Sequence, residues 1–353
     1  MVTGMGLAGV LRQHYSKWLL YPLIGALVIA NTINAGADLG AIGAAFNLLI
    51  PALSVRLLIV PIGLTVLLIE IWGSYRTIAR ALKWLTFSLF AYIATPFFAH
   101  PNLHAVLLGT VVPSLTLDRK FLAMIVAILG TTISPYLFFW QANQEVEEET
   151  AQGRVTVADR EGATTTEMED ATTDVGIGML FSNIVMYFII LATGATLFQS
   201  GKVTIESAAD AALALRPLAG NLASLLFTLG IVGTGLLAVP ILTASSAYAV
   251  AELFGWPAGL DRKPKKARAF YAVIALETVV AILMNYIGIN PMKALVWTAV
   301  MNGFVAPPLL VVILITARDE RIMGRWATGR WLNALGWFTV VTMTLAAVGL
   351  LFS

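Results

Sequence analysis

Residues 130–140, GTTISPYLFFW, place two threonines, a serine and a proline in the middle of an apolar run long enough to cross a bilayer. Phe121–Leu129 before the polar residues and Leu137–Trp140 after them are apolar. Pro135 carries no N–H, so the Thr131 carbonyl four residues earlier loses its helical donor, and the ring pushes Ser134 out of the α region. The helix is therefore expected to unwind over Thr131–Ser134, leaving two half-helices whose opposed dipole ends face the gap. Lipid cannot satisfy unwound backbone. Such a break survives only inside protein or along a cavity, where transporters use it to hold ions and substrates. The competing reading is a plain proline kink whose freed carbonyl is taken by a neighbouring hydroxyl.

The rest of the chain is consistent with a membrane setting. Its 353 residues are 58% hydrophobic and 12% charged, with a mean hydropathy of +0.83, whereas an ordinary soluble domain carries about 25% charged residues. Apolar runs of membrane length recur at about 18–48, 56–73, 81–99, 120–142, 175–198, 222–253, 269–288, 292–316 and 331–352, which predicts nine spans in an all-α polytopic membrane protein. One transmembrane domain over 1–353 follows. The segment 100–119 is long enough for a short surface helix. The acidic segment 143–174 is expected to be a cytoplasmic loop with one helical turn extending the span before it.

Lysine and arginine partition around these spans. Sixteen of the 22 fall on the side of the N-terminus: Arg12, Lys17, Arg76, Arg80, Lys83, Arg154, Arg160, Arg262, Lys263, Lys265, Lys266, Arg268, Arg318, Arg321, Arg325 and Arg330. The other side keeps Arg56, Arg119, Lys120, Lys202, Arg216 and Lys293. The positive-inside rule then puts the N-terminus of this chain in the cytoplasm and, with an odd span count, its C-terminus outside, in a bacterial inner membrane. Cysteine is absent, which removes disulfides, thiolate catalysis and Cys-type metal sites. No H-E-x-x-H or G-x-S-x-G run occurs, which argues against an intramembrane enzyme. The net charge of +2 says little about partners, and no nucleic-acid partner is expected.

A second polar cluster lies in the first span, ANTINAGADLGAIGAA at residues 30–45. Asn31, Asn34 and Asp38 are spaced i, i+3, i+7 and share a helix face near mid-membrane. An ionisable group at that depth costs a few kcal/mol and marks an ion or proton pathway by default; an interhelical hydrogen-bond network is the alternative. Gly36, Gly40 and Gly43 read as close-packing positions. Glu277 lies mid-span and suits a relay, or stays protonated as a lone carboxylate. Glu70 and Glu252, near inner ends, are expected to be solvated or paired. Glu145, Glu147, Glu148 and Glu149 continue from the broken helix as a solvated acidic face or a cation-drawing one. His100 and His104 are four apart, but Pro101 between them argues against a helical metal pair. Phe138, Phe139 and Trp140 read as packing. Pro307 and Pro308 are expected to break the penultimate span after Asn302, which makes Asn302 a secondary site candidate.

Two stretches carry a family resemblance. GADLGAIGAAFNLL, residues 36–49, resembles the third helix of the NRAMP metal transporters, with its pattern A-T-D-L-A-E. LGTTISPYLFFWQ, residues 129–141, resembles their sixth helix, with its pattern A-x-x-M-P-H. The resemblance implies a LeuT-like inverted-repeat fold and a divalent metal cation transporter, for manganese, iron or magnesium, working by alternating access. In the family, metal is held by Asp and Asn of an unwound first helix plus a carbonyl and a Met thioether of the sixth. The carbonyl position falls on Thr131 and the thioether position on Ser134; the family's two histidines fall on Tyr136 and Gln141. The third-helix aspartate is Asp38, while its glutamate partner is Ala41.

A hydroxyl suits hard, hydrated cations better than a thioether does, and these departures resemble NRAMP-related magnesium transporters. They put transition-metal selectivity and proton coupling in question. The expected metal site is thus Thr131, Ser134, Tyr136 and Gln141 with Asn302, and the proton or ion pathway is Asp38, Asn34, Asn31 and Glu277. The metal is substrate, no cofactor is expected, the bilayer is the solvent, and oligomeric state stays open. The resemblance begins near VTGMGLAGVLRQHY, at the end of the family's second helix. Residues 1–353 are therefore expected to hold nine of eleven helices and about half a metal site. A non-transporting remnant or assembly subunit, and an amino-acid transporter of the same fold, are the competing functions.

Overall fold

Short polar side chains at the helix starts set much of the architecture, because the first N–H groups of a helix have no partner inside it. The computed structural model describes residues 1–72, 87–112, 116, 118–202 and 204–353. The main helices are α1 (Leu7–His14), α2 (Lys17–Leu49), α3 (Val55–Trp72), α4 (Phe90–Ala99), α5 (Leu103–Val111), α6 (Arg119–Thr132), α7 (Pro135–Ala151), α8 (Thr165–Thr193), α9 (Ala223–Phe254), α10 (Arg268–Met284), α11 (Pro291–Arg318) and α12 (Arg330–Phe352). Ser16, Asn102, Asp118, Thr164 and Asn290 cap α2, α5, α6, α8 and α11 with their side chains.

Among the described residues, seven helical stretches are long and apolar enough to span a membrane. Two of the nine expected spans are not among them. Of 81–99, residues 81–86 lie outside the described residues, as do Arg76, Arg80 and Lys83, and Phe87–Ala99 forms a short apolar helix. The span at 269–288 is α10, 17 residues long, followed by a turn over 285–288. The surface helix expected within 100–119 is α5. The acidic segment 143–174 departs from its expectation as a loop. Helix α7 runs on to Ala151 and α8 starts at Thr165, because Glu167 and Thr164 close a reciprocal capping box that carries helix far upstream of the apolar run.

The expected break at Pro307 and Pro308 is also absent: α11 is continuous through both. The helix is pinned just before them. A Cβ on Gly303 would lie 2.5 Å from the Val126 carbonyl oxygen, and one on Gly130 would lie 2.1 Å from that of Ala299. Helices α6 and α11 thus cross backbone to backbone, and that contact fixes α11 in the turn just before its two prolines.

Water does not drive helix association inside a bilayer, so close contact and polar pairing must do so. Helix α2 is built for that. A Cβ on Gly36 would come within 3.2 Å of the Ala281 carbonyl oxygen of α10, and one on Gly40 within 2.4 Å of Asn285 Oδ1. Asn285 Nδ2 donates to the carbonyls of Gly36 at 2.8 Å and Ala281 at 2.9 Å. Ala35, Leu39, Ile59, Val66, Val239, Leu242, Ala281 and Ile282 form one buried cluster joining α2, α3, α9 and α10. A second cluster joins α1, α2, α7, α9 and α11 around Phe139, in keeping with the packing expected of that ring. The outer faces of α8 and α12 are apolar and exposed, as at Ile177, Leu180, Phe338 and Leu345.

The segments that charge patterning assigned to one side meet at one end of the bundle. Arg160 Nε donates to the Gly4 carbonyl, Arg12 Nη1 to the Glu252 carbonyl, and Arg325 Nη2 to the Ala163 carbonyl. A cavity of about 570 Å³ at this end is lined by Arg12, Asn143, Glu147, Tyr248, Glu252 and Arg262, among others.

The α6–α11 crossing gives a first test. Gly130→Ala is expected to destabilise the protein by roughly 1–3 kcal/mol, the usual cost of overpacking. Gly176→Ala, where a Cβ meets nothing within 4 Å, should leave the thermal unfolding midpoint in detergent unchanged or raise it. Equal midpoints for the two variants would show that α6 and α11 do not cross this closely.

Candidate functional site

Helix α6 ends at Thr132 and α7 begins at Pro135. Only Ile133 and Ser134 leave the helix, with Ser134 extended at φ −76° and ψ 127°. The break is therefore narrower than the expected Thr131–Ser134. Two hydroxyls explain why. Thr132 Oγ1 donates back to the Ile128 carbonyl at 2.6 Å and holds the last turn of α6. Ser134 Oγ lies 3.0 Å from the Gly130 carbonyl oxygen and 3.0 Å from that of Thr131. The Thr131 carbonyl that Pro135 deprives of a donor thus finds one in the hydroxyl of the residue before the proline. One hydrogen serves two acceptors. The C-terminal end of α6, with its partial negative charge, points at the same place.

Ser134 is buried, whereas the Thr131 side chain is exposed. Tyr136, next to Ser134, packs against the buried cluster that holds Ala35 and Leu39 of α2, the stretch that carries Asp38. Asp38, half-buried on α2, has no hydrogen-bond partner among the described residues. The break and the first span therefore lie side by side: the residue after Pro135 meets the stretch of α2 that carries Asp38, beside two unwound residues. Gln141 lies two turns along α7, donates to Glu145 Oε1 at 3.0 Å, and shares with Thr132, Ser134 and Asp174 the wall of a cavity of about 310 Å³. Asn302 is buried next to the Gly130–Gly303 crossing, and its Oδ1 has no partner. Among the described residues, no three His, Asp or Glu side chains gather closely enough to hold a metal, so an ion here would meet one carboxylate and neutral oxygens.

The face shared by Asn31, Asn34 and Asp38 divides in two. Asn34 is half-buried. Asn31 is fully buried and looks away from the break: its Nδ2 reaches Ser246 Oγ at 2.9 Å, Ser245 Oγ at 3.2 Å and the Leu242 carbonyl at 3.2 Å on α9. Beside it, Thr32 Oγ1 bonds the Val28 carbonyl at 2.7 Å and lies 3.3 Å from Glu277 Oε1 on α10. Glu277 is thus tied to Thr32 and to Ser246 of α9 rather than to the break.

Glu70, expected to be solvated or paired at an inner end, is 2% exposed, and its Oε1 accepts from Thr243 Oγ1 at 2.7 Å. Its burial could have been found from α9, where the hydroxyl run Thr243, Ser245, Ser246 in an apolar span asks for polar partners. Glu252 accepts the Gly9 N–H at 3.0 Å and sits where a Cβ on Gly6 would be. His100 closes α4 with φ +47°, which turns it away from the axis of α5, where His104 lies.

A family model described as natural resistance-associated macrophage protein-like (Nramp) matches residues 1–353. Among solved structures, the chain is similar to the Eremococcus coleocola manganese transporter. A histidine-to-alanine variant of that protein gives a TM-score of 0.63 at 18% identity, over 98% of this chain and 74% of that chain. The same transporter in complex with an aromatic bis-isothiourea substituted compound gives 0.63 at 18%, over 96% and 72%. At that identity the likeness carries the fold, and it is the all-helical, LeuT-like one expected from the sequence.

The hydroxyl at the break yields a second test. Ser134→Ala leaves the Gly130 and Thr131 carbonyls without their donor, and should cost about 1–3 kcal/mol of stability. Ser134→Thr, which keeps the hydroxyl, should cost less. Thermal unfolding of both variants decides it, and an Ala variant as stable as the parent would remove Ser134 from this role.

Proposed function

Because the chain belongs to the Nramp family, we propose that it carries divalent metal cations across the membrane, with the ion taken up at the break between α6 and α7 and released by alternating access. The observation that supports this most is the packing of Tyr136, beside the unwound pair Ile133–Ser134, against the stretch of α2 that carries Asp38. Asp38 supplies the charge that offsets dehydration of the ion. Ser134 and the Thr131 carbonyl act as one unit, since the hydroxyl donates to that carbonyl. Tyr136, Gln141 and Asn302 add neutral oxygens around the path.

These ligands are hard. Oxygen sites suit Mg²⁺ and Mn²⁺, whereas thioether or thiolate sites draw softer metals. We therefore assign the protein to hard divalent cations, magnesium or manganese. Asp38, Asn34 and Asn31 of α2, with Glu277 of α10, form the accompanying proton or ion pathway. The sidedness proposed is that of the basic residues, with Arg12, Arg160 and Arg262 in the cytoplasm.

Uptake into vesicles containing the purified protein tests the reading. Saturable Mn²⁺ or Mg²⁺ uptake is expected, strongly reduced in Asp38→Ala. Ser134→Met should shift competition toward Cd²⁺ by about tenfold, equivalent to about 1.4 kcal/mol. Competition between Mg²⁺ and Cd²⁺ that Ser134→Met leaves unchanged would take Ser134 out of the ligand set, and uptake indifferent to Asp38→Ala would put the path elsewhere.

A further inference from the structure

Away from the break, three buried acceptor atoms have no hydrogen-bond partner and lie in one connected group: Glu70 Oε2, Glu277 Oε2 and Asn31 Oδ1. Their side chains are 2%, 3% and 0% exposed. They come from α3, α10 and α2 and are joined through a single face of α9. Thr243 and Ser246 are three apart and lie on that face. Thr243 Oγ1 donates to Glu70 Oε1 at 2.7 Å, while Ser246 faces Glu277 and receives Asn31 Nδ2 at 2.9 Å. Thr32 Oγ1 lies 3.3 Å from Glu277 Oε1 on the other side. Each carboxylate thus uses one oxygen and leaves the other empty.

All three empty atoms are acceptors, so what is missing is a donor or a cation. No basic side chain supplies it. Neither glutamate has an ion-pair partner among the described residues. On the packed elements the basic residues are Lys17 and Arg56, at the starts of α2 and α3, and Arg268, nine residues from Glu277, about 13 Å along the helix. The other titratable groups there are committed or distant. Tyr271 on α10 donates to the carbonyls of Leu260 and Arg262, Tyr248 on α9 donates to Glu147, Glu252 accepts the Gly9 N–H, and Asp38 stands two turns along α2 from Asn31. Two carboxylates buried together without a basic partner do not both ionise unless a cation joins them. A divalent ion needs six or more oxygens, water included, and three empty acceptors in a closed interior are too few.

We propose that Glu70 and Glu277 form a single buried site for one exchangeable monovalent cation, a proton or a sodium ion, bridged by the hydroxyl face of α9. In the unloaded-to-loaded exchange one positive charge enters and none of the four hydroxyl and amide groups changes its covalent state. The inference shares Glu277 with the pathway proposed above, but its readouts are binding, so failure of metal uptake leaves it standing and its own failure leaves metal uptake standing.

The test uses the purified protein in lipid nanodiscs, in weak buffer with a pH-reporting dye. Wild type is expected to release about one proton per chain more than Glu70→Gln/Glu277→Gln, either on alkalinisation through neutral pH or on addition of Na⁺. Gly176→Ala, where a Cβ meets nothing within 4 Å, should behave as wild type. Release on adding Na⁺ but not choline means that sodium occupies the site; release with alkali alone means that the proton is its only occupant. Infrared difference spectra provide the second measurement where the double variant does not fold. Glu277→Gln identifies the Glu277 carboxyl stretching band, and Glu70→Gln alone should displace it. The proposal is overturned if the double variant releases as many protons as wild type, or if the Glu277 band is the same in wild type and in Glu70→Gln.

Discussion

A carbonyl freed in the middle of a bilayer has no water to turn to, and the arrangement at Ser134 follows from that. Pro135 cannot donate to Thr131, and the extended Ser134 carries its own backbone out of register with Gly130. One hydroxyl then serves both carbonyls. Because the donor is a side chain, the helix can stop and restart within two residues, and the backbone at the break stays in a fixed geometry. A site built on this break inherits that rigidity: the Ser134 hydroxyl oxygen is held by the same bonds that satisfy the backbone.

The same constraint explains the second polar region. Asn31 satisfies its amide donors on α9 with three contacts, yet its oxygen, and one oxygen on each of Glu70 and Glu277, remain empty. A network that existed only to hold helices together would end with donors and acceptors matched, since each unmatched buried acceptor costs stability. This one ends with acceptors in excess, all on one side of α9. The imbalance distinguishes it from the Asn285 contact, where both donor bonds go to carbonyls and the residue acts as packing between α2 and α10.

How far these features could be read from the sequence depended on whether the relevant physics was local. The break at Pro135 was legible because proline acts on residues one and four positions away. Its exact width was not, because it depended on which way the Ser134 and Thr132 hydroxyls turned. Pro307 and Pro308 carry the same local signal without the break, because the backbone contact of Gly303 with Val126 and of Gly130 with Ala299 overrides it. The acidic segment 143–174 resembles loop in composition, but the Thr164–Glu167 box and the continuation of α7 make most of it helical. The common face of Asn31, Asn34 and Asp38 was correct as helical phase. It could not reveal that Asn31 bonds α9 while Asp38 finds no hydrogen-bond partner among the described residues, since that is decided by which helices stand on either side. Glu70 was misplaced for a related reason: position near a helix end indicates solvent only when no neighbour covers that end, and α9 does.

Helix α2 is therefore the element on which the two polar regions meet. Asp38 projects from it toward the break, and Asn31 and Thr32 project from it toward α9 and α10, seven and six residues earlier. Between them run Ala35, Gly36 and Ala37, all buried, with Gly36 against the backbone of α10. Such a segment has no side-chain length with which to absorb a displacement, so a shift of α2 at Asp38 would also move Thr32, whose hydroxyl meets Glu277 of α10. Spatial continuity alone does not establish coupling. It does fix what coupling would have to consist of here: a rigid-body movement of α2 against α9 and α10, resisted at one end by the Asn31 contacts and at the other by Asn285, rather than a chain of side-chain rotamer changes along the helix.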